Sequence, residues 1–197
     1  MTASTPWGPA QSAQTLATGI VNYSTAGHGG ISLTAERIAQ MPTALREVMP
    51  CAGEGWYEED EDWALVALSF PAFFSPSSVA SAVAMASVSR RDGHHWGPGV
   101  SAWLRTDEAR TVLQAAQTWR EAHADHFHWV AMGSVPGRLQ PLAKQHEGER
   151  RHLSYVTLRR VSDNAPAAAL LFDDELVDGV FDLAAIPAGR IVERPIP

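Results

Sequence analysis

The sequence predicts an α+β fold: one compact domain, helices early and centrally, and an antiparallel or mixed sheet mainly in the second half. Three observations carry this. A capped, amphipathic helix pattern runs from Thr106 to about His123. Short apolar or alternating runs follow it, at Phe127–Met132, Leu153–Leu158 and Ala168–Phe172. Finally, 197 residues with 45% hydrophobic and 19% charged content match an ordinary globular domain. A chain of this length buries roughly 70% of the surface it exposes when unfolded, enough for a core without covalent staples.

The elements follow in order. Residues 1–12, rich in Thr, Ser, Pro and Ala, read as a loose lead-in. Gly19–Thr25 reads as a strand, because Ile20, Val21 and Tyr23 suit a pleated surface. Ala26–Gly30 is a loop by its glycines, and Ile31–Leu33 makes the second strand of a hairpin around it. Thr34 is placed to N-cap a helix starting at Ala35, with Glu36 in the favourable first turn, and Pro42 ends it.

Trp56–Phe70 admits two readings. Trp63, Val66, Ala67 and Phe70 lie on one helical face, and the acids Glu58–Asp62 would sit at its positive end. The same residues also alternate as in a buried strand; helix is favoured, and Pro71 stops either one. Ser77 or Ser78 caps a helix through Val88, with Val79, Ala82, Val83 and Ala86 on one stripe. The Gly/Pro-rich run Arg90–Gly99 is a candidate joint, with residues 92–99 connecting sub-halves 1–92 and 96–197. In the Thr106 helix the apolar stripe is Val112, Leu113, Ala116 and Trp119, and the acids Asp107 and Glu108 open the first turn. Gly179–Leu183 is a last short apolar run.

Charge narrows the function classes. The net charge is -7, with 15 Lys+Arg against 22 Asp+Glu. A phosphate-dominated nucleic-acid binder is disfavoured, apart from a local basic stretch at 138–160 that holds Arg138, Lys144, Arg150, Arg151, Arg159 and Arg160. The single cysteine, Cys51, excludes an internal disulfide and points to a reducing compartment. No apolar run reaches the roughly 18 residues of a membrane span. The first nine residues have neither the basic nor the apolar region of a secretory signal, so a cytoplasmic protein with no membrane contact is expected. No G-x-S-x-G elbow, phosphate loop or dinucleotide fingerprint is present.

A resemblance emerges from the first third of the chain. The order Thr5-Pro-Trp-Gly8, Gly19-Ile20, Ser24-Thr25 with His28-Gly29-Gly30, Trp56-Tyr57-Glu58-Glu59-Asp60 and Phe70-Pro71 resembles a domain-of-unknown-function family of bacterial, plasmid and phage proteins. It covers about residues 5–74. The resemblance implies a mobile-genetic-element setting, in which small acidic proteins bind and block host defence machinery. It supplies no substrate and no catalytic residue.

Three residue clusters are candidates for chemistry. The first joins Ser24, Thr25, His28, Gly29 and Gly30 to Trp56, Tyr57, Glu58, Glu59 and Asp60 as one binding surface. Glycines beside a histidine allow close backbone approach and leave the imidazole open. Glu58 or Glu59 is the candidate partner base, so His28, Glu58 and Glu59 are also the catalytic candidates. The plainer reading is a glycine hairpin beside a solvated helix start.

The second cluster is His123, His126 and His128, with His94 and His95 upstream. It is a candidate metal site whose spacing matches no standard zinc signature; histidines at a helix C-terminus also serve the dipole alone. The third is the acid run Glu58–Asp62, suited to a divalent cation or a basic partner and otherwise a solvated helix start. Trp7 and Trp96, in Pro/Gly loops, read as interface anchors.

The expected function is a non-enzymatic accessory protein of a mobile element. It would engage a protein partner, a host defence or nucleic-acid-processing protein, through an acidic and aromatic surface. The rivals are a small hydrolase or transferase using His28 with Glu58 or Glu59, and a histidine metal-binding protein. No cofactor is implied. Partner identity, substrate and oligomeric state stay open at this level.

Overall fold

The structure, a computed structural model, describes residues 3–90, 94–146, 148 and 151–192. The class is α+β, with antiparallel sheets throughout. The chain forms two compact units, residues 1–117 and 118–197. They part inside one long helix rather than in the Gly/Pro-rich run. Of that run, His94–Gly99 belongs to the first unit, and Asp92 and Gly93 lie outside the described residues.

In the first unit, β1 (Ser4–Thr5) and β2 (Gly8–Pro9) form a minimal hairpin. A four-stranded sheet follows in the order β3 (Ser12–Ala17), β4 (Ile20–Ser24), β5 (Gly29–Leu33) and β6 (Trp56–Glu58). The expected β4–β5 hairpin is present, with Ser24 opposite Gly29 and Ile20 opposite Leu33. The reading of residues 1–12 as a loose lead-in is corrected, because Ser4–Thr5 and Gly8–Pro9 pair with each other and Ser12 opens β3, which pairs along β4. The polar residues of β3 are compatible with an exposed edge strand.

Thr34 caps α1 (Ala35–Gln40) by accepting the Arg37 N–H, and Pro42 leads into α2 (Thr43–Arg46). Trp56–Phe70 divides between the two readings: Trp56–Glu58 is strand and α3 (Trp63–Ser69) is helix. Ala64–Ser69 is buried all round, which is why its periodicity was ambiguous. Next comes α4 (Pro76–Ser89), capped by Ser75 rather than Ser77 or Ser78 because Pro76 takes the first helical position. Gly97 then opens α5 (Gly97–Trp103).

Thr106 accepts the Ala109 N–H at the start of α6 (Asp107–Ala122), as the sequence predicts. The core of the first unit gathers Ile20, Ile31, Leu33, Leu45, Tyr57, Leu65, Leu68, Trp96 and Trp103. Trp96 is fully buried, so its reading as a surface anchor is corrected.

The second unit is a four-stranded sheet in the order β10 (Ile191–Val192), β9 (Pro166–Phe172), β8 (Leu153–Arg160) and β7 (Phe127–Gly133), with α7 (Gln140–Ala143) between β7 and β8 in sequence. Strand alternation sends Val156, Leu158, Ala169 and Leu171 to one face, against Phe181 and Ile186. Tyr155, Ala168 and Leu170 go to the other, against Leu139 and Leu142. With both faces covered, β9 reads as a continuous apolar run. Gly179–Leu183 contributes isolated bridges, Phe127 to Phe181 and Val177 to Val180, in place of a strand. Among the described residues no helix is long and apolar enough to cross a membrane.

Candidate functional site

Pairing of β5 with β6 brings the two halves of the predicted binding surface together. Gly30 lies opposite Glu58 and Ser32 opposite Trp56, while the Glu59 N–H donates to the Gly29 carbonyl at 3.1 Å. Strand alternation then sorts the side chains. Ile31 and Tyr57 turn into the core, whereas Tyr23, Gly30, Trp56 and Glu58 share the opposite face. Trp7 lies on that face over Gly30, and the Trp56 ring centre is 5.8 Å from both Trp7 and Tyr23. All three rings are partly exposed.

The loop carrying His28 is stitched by Thr25. Its hydroxyl donates to the His28 carbonyl at 2.6 Å and accepts the His28 N–H at 3.2 Å. Thr25 is buried and committed to the turn; Ser24 ends β4 and is exposed. The His28 imidazole is 62% exposed, with Nδ1 3.8 Å from Glu58 Oε1. Glu58 Oε2 accepts the Asp60 N–H at 2.7 Å, but Oε1 is buried and accepts no hydrogen bond among the described residues. Burial pushes the Glu58 carboxyl above its ordinary value, against the pull of that Asp60 N–H. The Glu59 carboxylate rests on Gly29, and Asp60 is exposed. His28, Glu58 and Glu59 bring their ligating atoms within 4.8 Å of one another.

The acid run does not stay on the surface. Asp62, at its end, is fully buried just before α3. Oδ2 accepts the Cys51 N–H at 2.7 Å and Oδ1 accepts the Trp96 indole N–H at 3.2 Å. This corrects the reading of the whole run as a solvated helix start. Beside it, Cys51 Sγ is 3.7 Å from His95 Nε2, which is itself 3.7 Å from Asp62 Oδ1. His94 stacks on His95 and pairs through Nε2 with Glu61 Oε1 at 2.5 Å. Loss of water around the sulfur, then the Asp62 and Glu61 charges, holds the Cys51 thiol above its ordinary value, so on its own it is a protonated and weak nucleophile. Sequence reasoning missed this cluster because Cys51, Asp62 and His95 are far apart in the chain; the only hint was the pair His94-His95 beside a tryptophan.

The histidines of the second unit are placed differently. His123 stacks on Trp119, sits 2.8 Å from the Trp119 carbonyl through Nδ1, and has Nε2 3.9 Å from Asp178. His126 meets it edge-on with ring centres 5.2 Å apart. His128 has moved onto β7, where burial, Arg120 and Arg159 lower its pKa. Among the described residues these three do not bring their ligating atoms within 4.8 Å of one another. In the basic stretch, Arg151 faces Asp174 at 3.2 Å, Arg160 faces Asp163 at 3.6 Å, and Arg138 and Lys144 are exposed. Arg150 lies outside the described residues.

Residues 1–124 match the family model described as Domain of unknown function (DUF7007). The chain belongs to the DUF7007 family. The match extends well past the motif order of residues 5–74 and takes in both the His28–Glu58 surface and the Cys51–Asp62–His95 cluster. His126 and His128 fall outside the DUF7007 region. No curated protein and no solved structure matches the chain.

Proposed function

We propose that this DUF7007 protein is a binding protein whose recognition surface is the outer face of β4, β5 and β6. One observation carries the reading: Trp7, Tyr23 and Trp56 form a half-exposed aromatic cluster on the same face as the open His28 imidazole and the Glu58 carboxylate, with Glu59 and Asp60 directly following. Amphipathic rings give contact area at low entropic cost, and adjacent carboxylates select a basic partner and speed encounter. The exposed carboxylates of Glu59 and Asp60 are open to charge-assisted hydrogen bonds from an arginine or lysine of the partner. The partner is therefore a protein segment rich in basic side chains.

The mobile-element setting implied by the sequence resemblance makes a cytoplasmic host defence or nucleic-acid-processing protein the candidate partner, and blocking it the outcome. Thr25 is tied into its turn, so the surface offers His28 no well-placed hydroxyl nucleophile from that residue.

The test places a photo-crosslinking residue at position 28 in the full chain, with position 138 as a control on the second unit. The expected result is a partner captured at 28 and not at 138, and lost with Glu59→Arg or Trp56→Ala. Equal capture at both positions, or capture indifferent to Glu59→Arg, overturns the reading. Turnover of a substrate abolished by Glu58→Gln would favour the hydrolase or transferase alternative.

A further inference from the structure

The buried carboxylate Asp62, the thiol of Cys51 and the imidazole of His95 converge on one point in the first unit, and none of them belongs to the His28 surface. We propose that Cys51, Asp62 and His95 form a binding site for a thiophilic divalent cation of the zinc class.

The geometry supports a metal over an acid–base unit. In a cysteine–histidine–aspartate catalytic arrangement the thiol and the carboxylate address opposite ring nitrogens. Here both face the same atom: Cys51 Sγ and Asp62 Oδ1 are each 3.7 Å from His95 Nε2. One nitrogen has one lone pair or one proton, so it cannot accept the thiol proton while donating to the carboxylate. A cation between them resolves the conflict by taking all three. A tetrahedral zinc ion, with bonds of about 2.3 Å to sulfur and about 2.0–2.1 Å to nitrogen and oxygen, sets sulfur and nitrogen about 3.6 Å apart and nitrogen and oxygen about 3.4 Å apart. The observed separations are within a few tenths of an ångström of both.

The surroundings are built to hold the ligands. Asp62 is oriented by two donors, the Cys51 N–H and the Trp96 indole, and each of its oxygens keeps a lone pair in reserve. Such supporting hydrogen bonds fix a ligand's direction. His94 accepts the Trp96 N–H through Nδ1 at 3.2 Å and therefore donates through Nε2 to Glu61, so it supports the site rather than ligating. The stacked His94 ring fixes the plane of His95. The thiolate, imidazole and carboxylate set favours zinc over magnesium or calcium, which prefer oxygen alone. With three protein ligands, the fourth position falls to water or to a group entering the cleft of about 500 Å³ that His95 lines with Glu47, Met49 and Pro98.

The test uses the full chain, stripped with a chelator and titrated with Co²⁺ alone, then with Zn²⁺ as competitor. The expected result is saturable binding of one equivalent with a thiolate-to-cobalt charge-transfer band that zinc displaces. Cys51→Ser abolishes the band. His95→Gln weakens binding by at least about ten-fold, and His152→Ala, at an exposed histidine of the second unit, changes neither, while circular dichroism confirms that each variant is folded. Absence of saturable binding, binding without the charge-transfer band, or binding unchanged in His95→Gln overturns the proposal.

Discussion

The Trp7 indole occupies the space that a side chain at Gly30 would need. A Cβ built at Gly30 collides with Trp7 and with the Tyr57 carbonyl. Gly30 therefore lets an aromatic ring lie directly on the sheet, where it meets Trp56. Gly30→Ala is expected to destabilise the first unit by about 1–3 kcal/mol through overpacking, or about 2–4 °C in Tm for each kcal/mol. Gly27→Ala, in the turn before β5 with open space at its Cβ, is expected within about 0.5 kcal/mol of wild type. Thermal unfolding of the two variants side by side checks this, and tryptophan fluorescence reports whether Trp7 has moved.

Glu58 is expected to make stability depend on pH in a defined direction. Burial raises its pKa in the folded chain above the unfolded value. The protonated form is thus the one the fold favours. Its contribution is fully present below the unfolded pKa and is lost as pH rises through the folded pKa. Glu58→Gln retains an acceptor for the Asp60 N–H and removes the charge. It should melt higher than wild type near neutral pH, with the gap closing as the pH falls through the carboxylate range. Melting curves across that range decide the matter; a gap of constant size would mean that Glu58 is not the group responsible.

In the second unit, Arg190 and Glu175 form a doubly hydrogen-bonded pair, at 2.5 and 2.9 Å, with side chains only 7% and 17% exposed. The guanidinium also stacks over Phe172 at 4.9 Å. Glu175→Ala strands a buried positive charge and frees the Phe172 N–H that Glu175 accepts, so a loss of about 3–5 kcal/mol is expected. The double replacement Glu175→Met with Arg190→Leu is expected to lose less than the single one, because no charge is left unpaired. Denaturant titration of both variants tests the ordering.

Much of this protein was legible in its residue order. Local physics placed the β4–β5 hairpin, the Thr34 cap and the Thr106 start of α6, because turns and caps depend on neighbours a few positions apart. The α+β class and the apolar strands β8 and β9 were readable for the same reason. The expectation that His28 and the Glu58–Glu59 carboxylates adjoin also needed only a motif order, and the β5–β6 pairing supplies the contact.

Other features needed the folded chain. The polar strand β3 has no apolar alternation to announce it, and its pairing with β4 decides its state. Burial of Asp62 and Trp96 depends on their mutual hydrogen bond across 34 residues. His128 parts from His123 and His126, its neighbours in sequence, because α6 ends and β7 begins among them. Cys51, Asp62 and His95 show the reverse case, distant in sequence and joined in space. The amino-acid order by itself determined the class and the caps at Thr34 and Thr106, set by short-range geometry and composition. Only the tertiary structure decided which charged and sulfur-bearing groups share a site, because that convergence is created by long-range packing and by the cost of burying a carboxylate without donors.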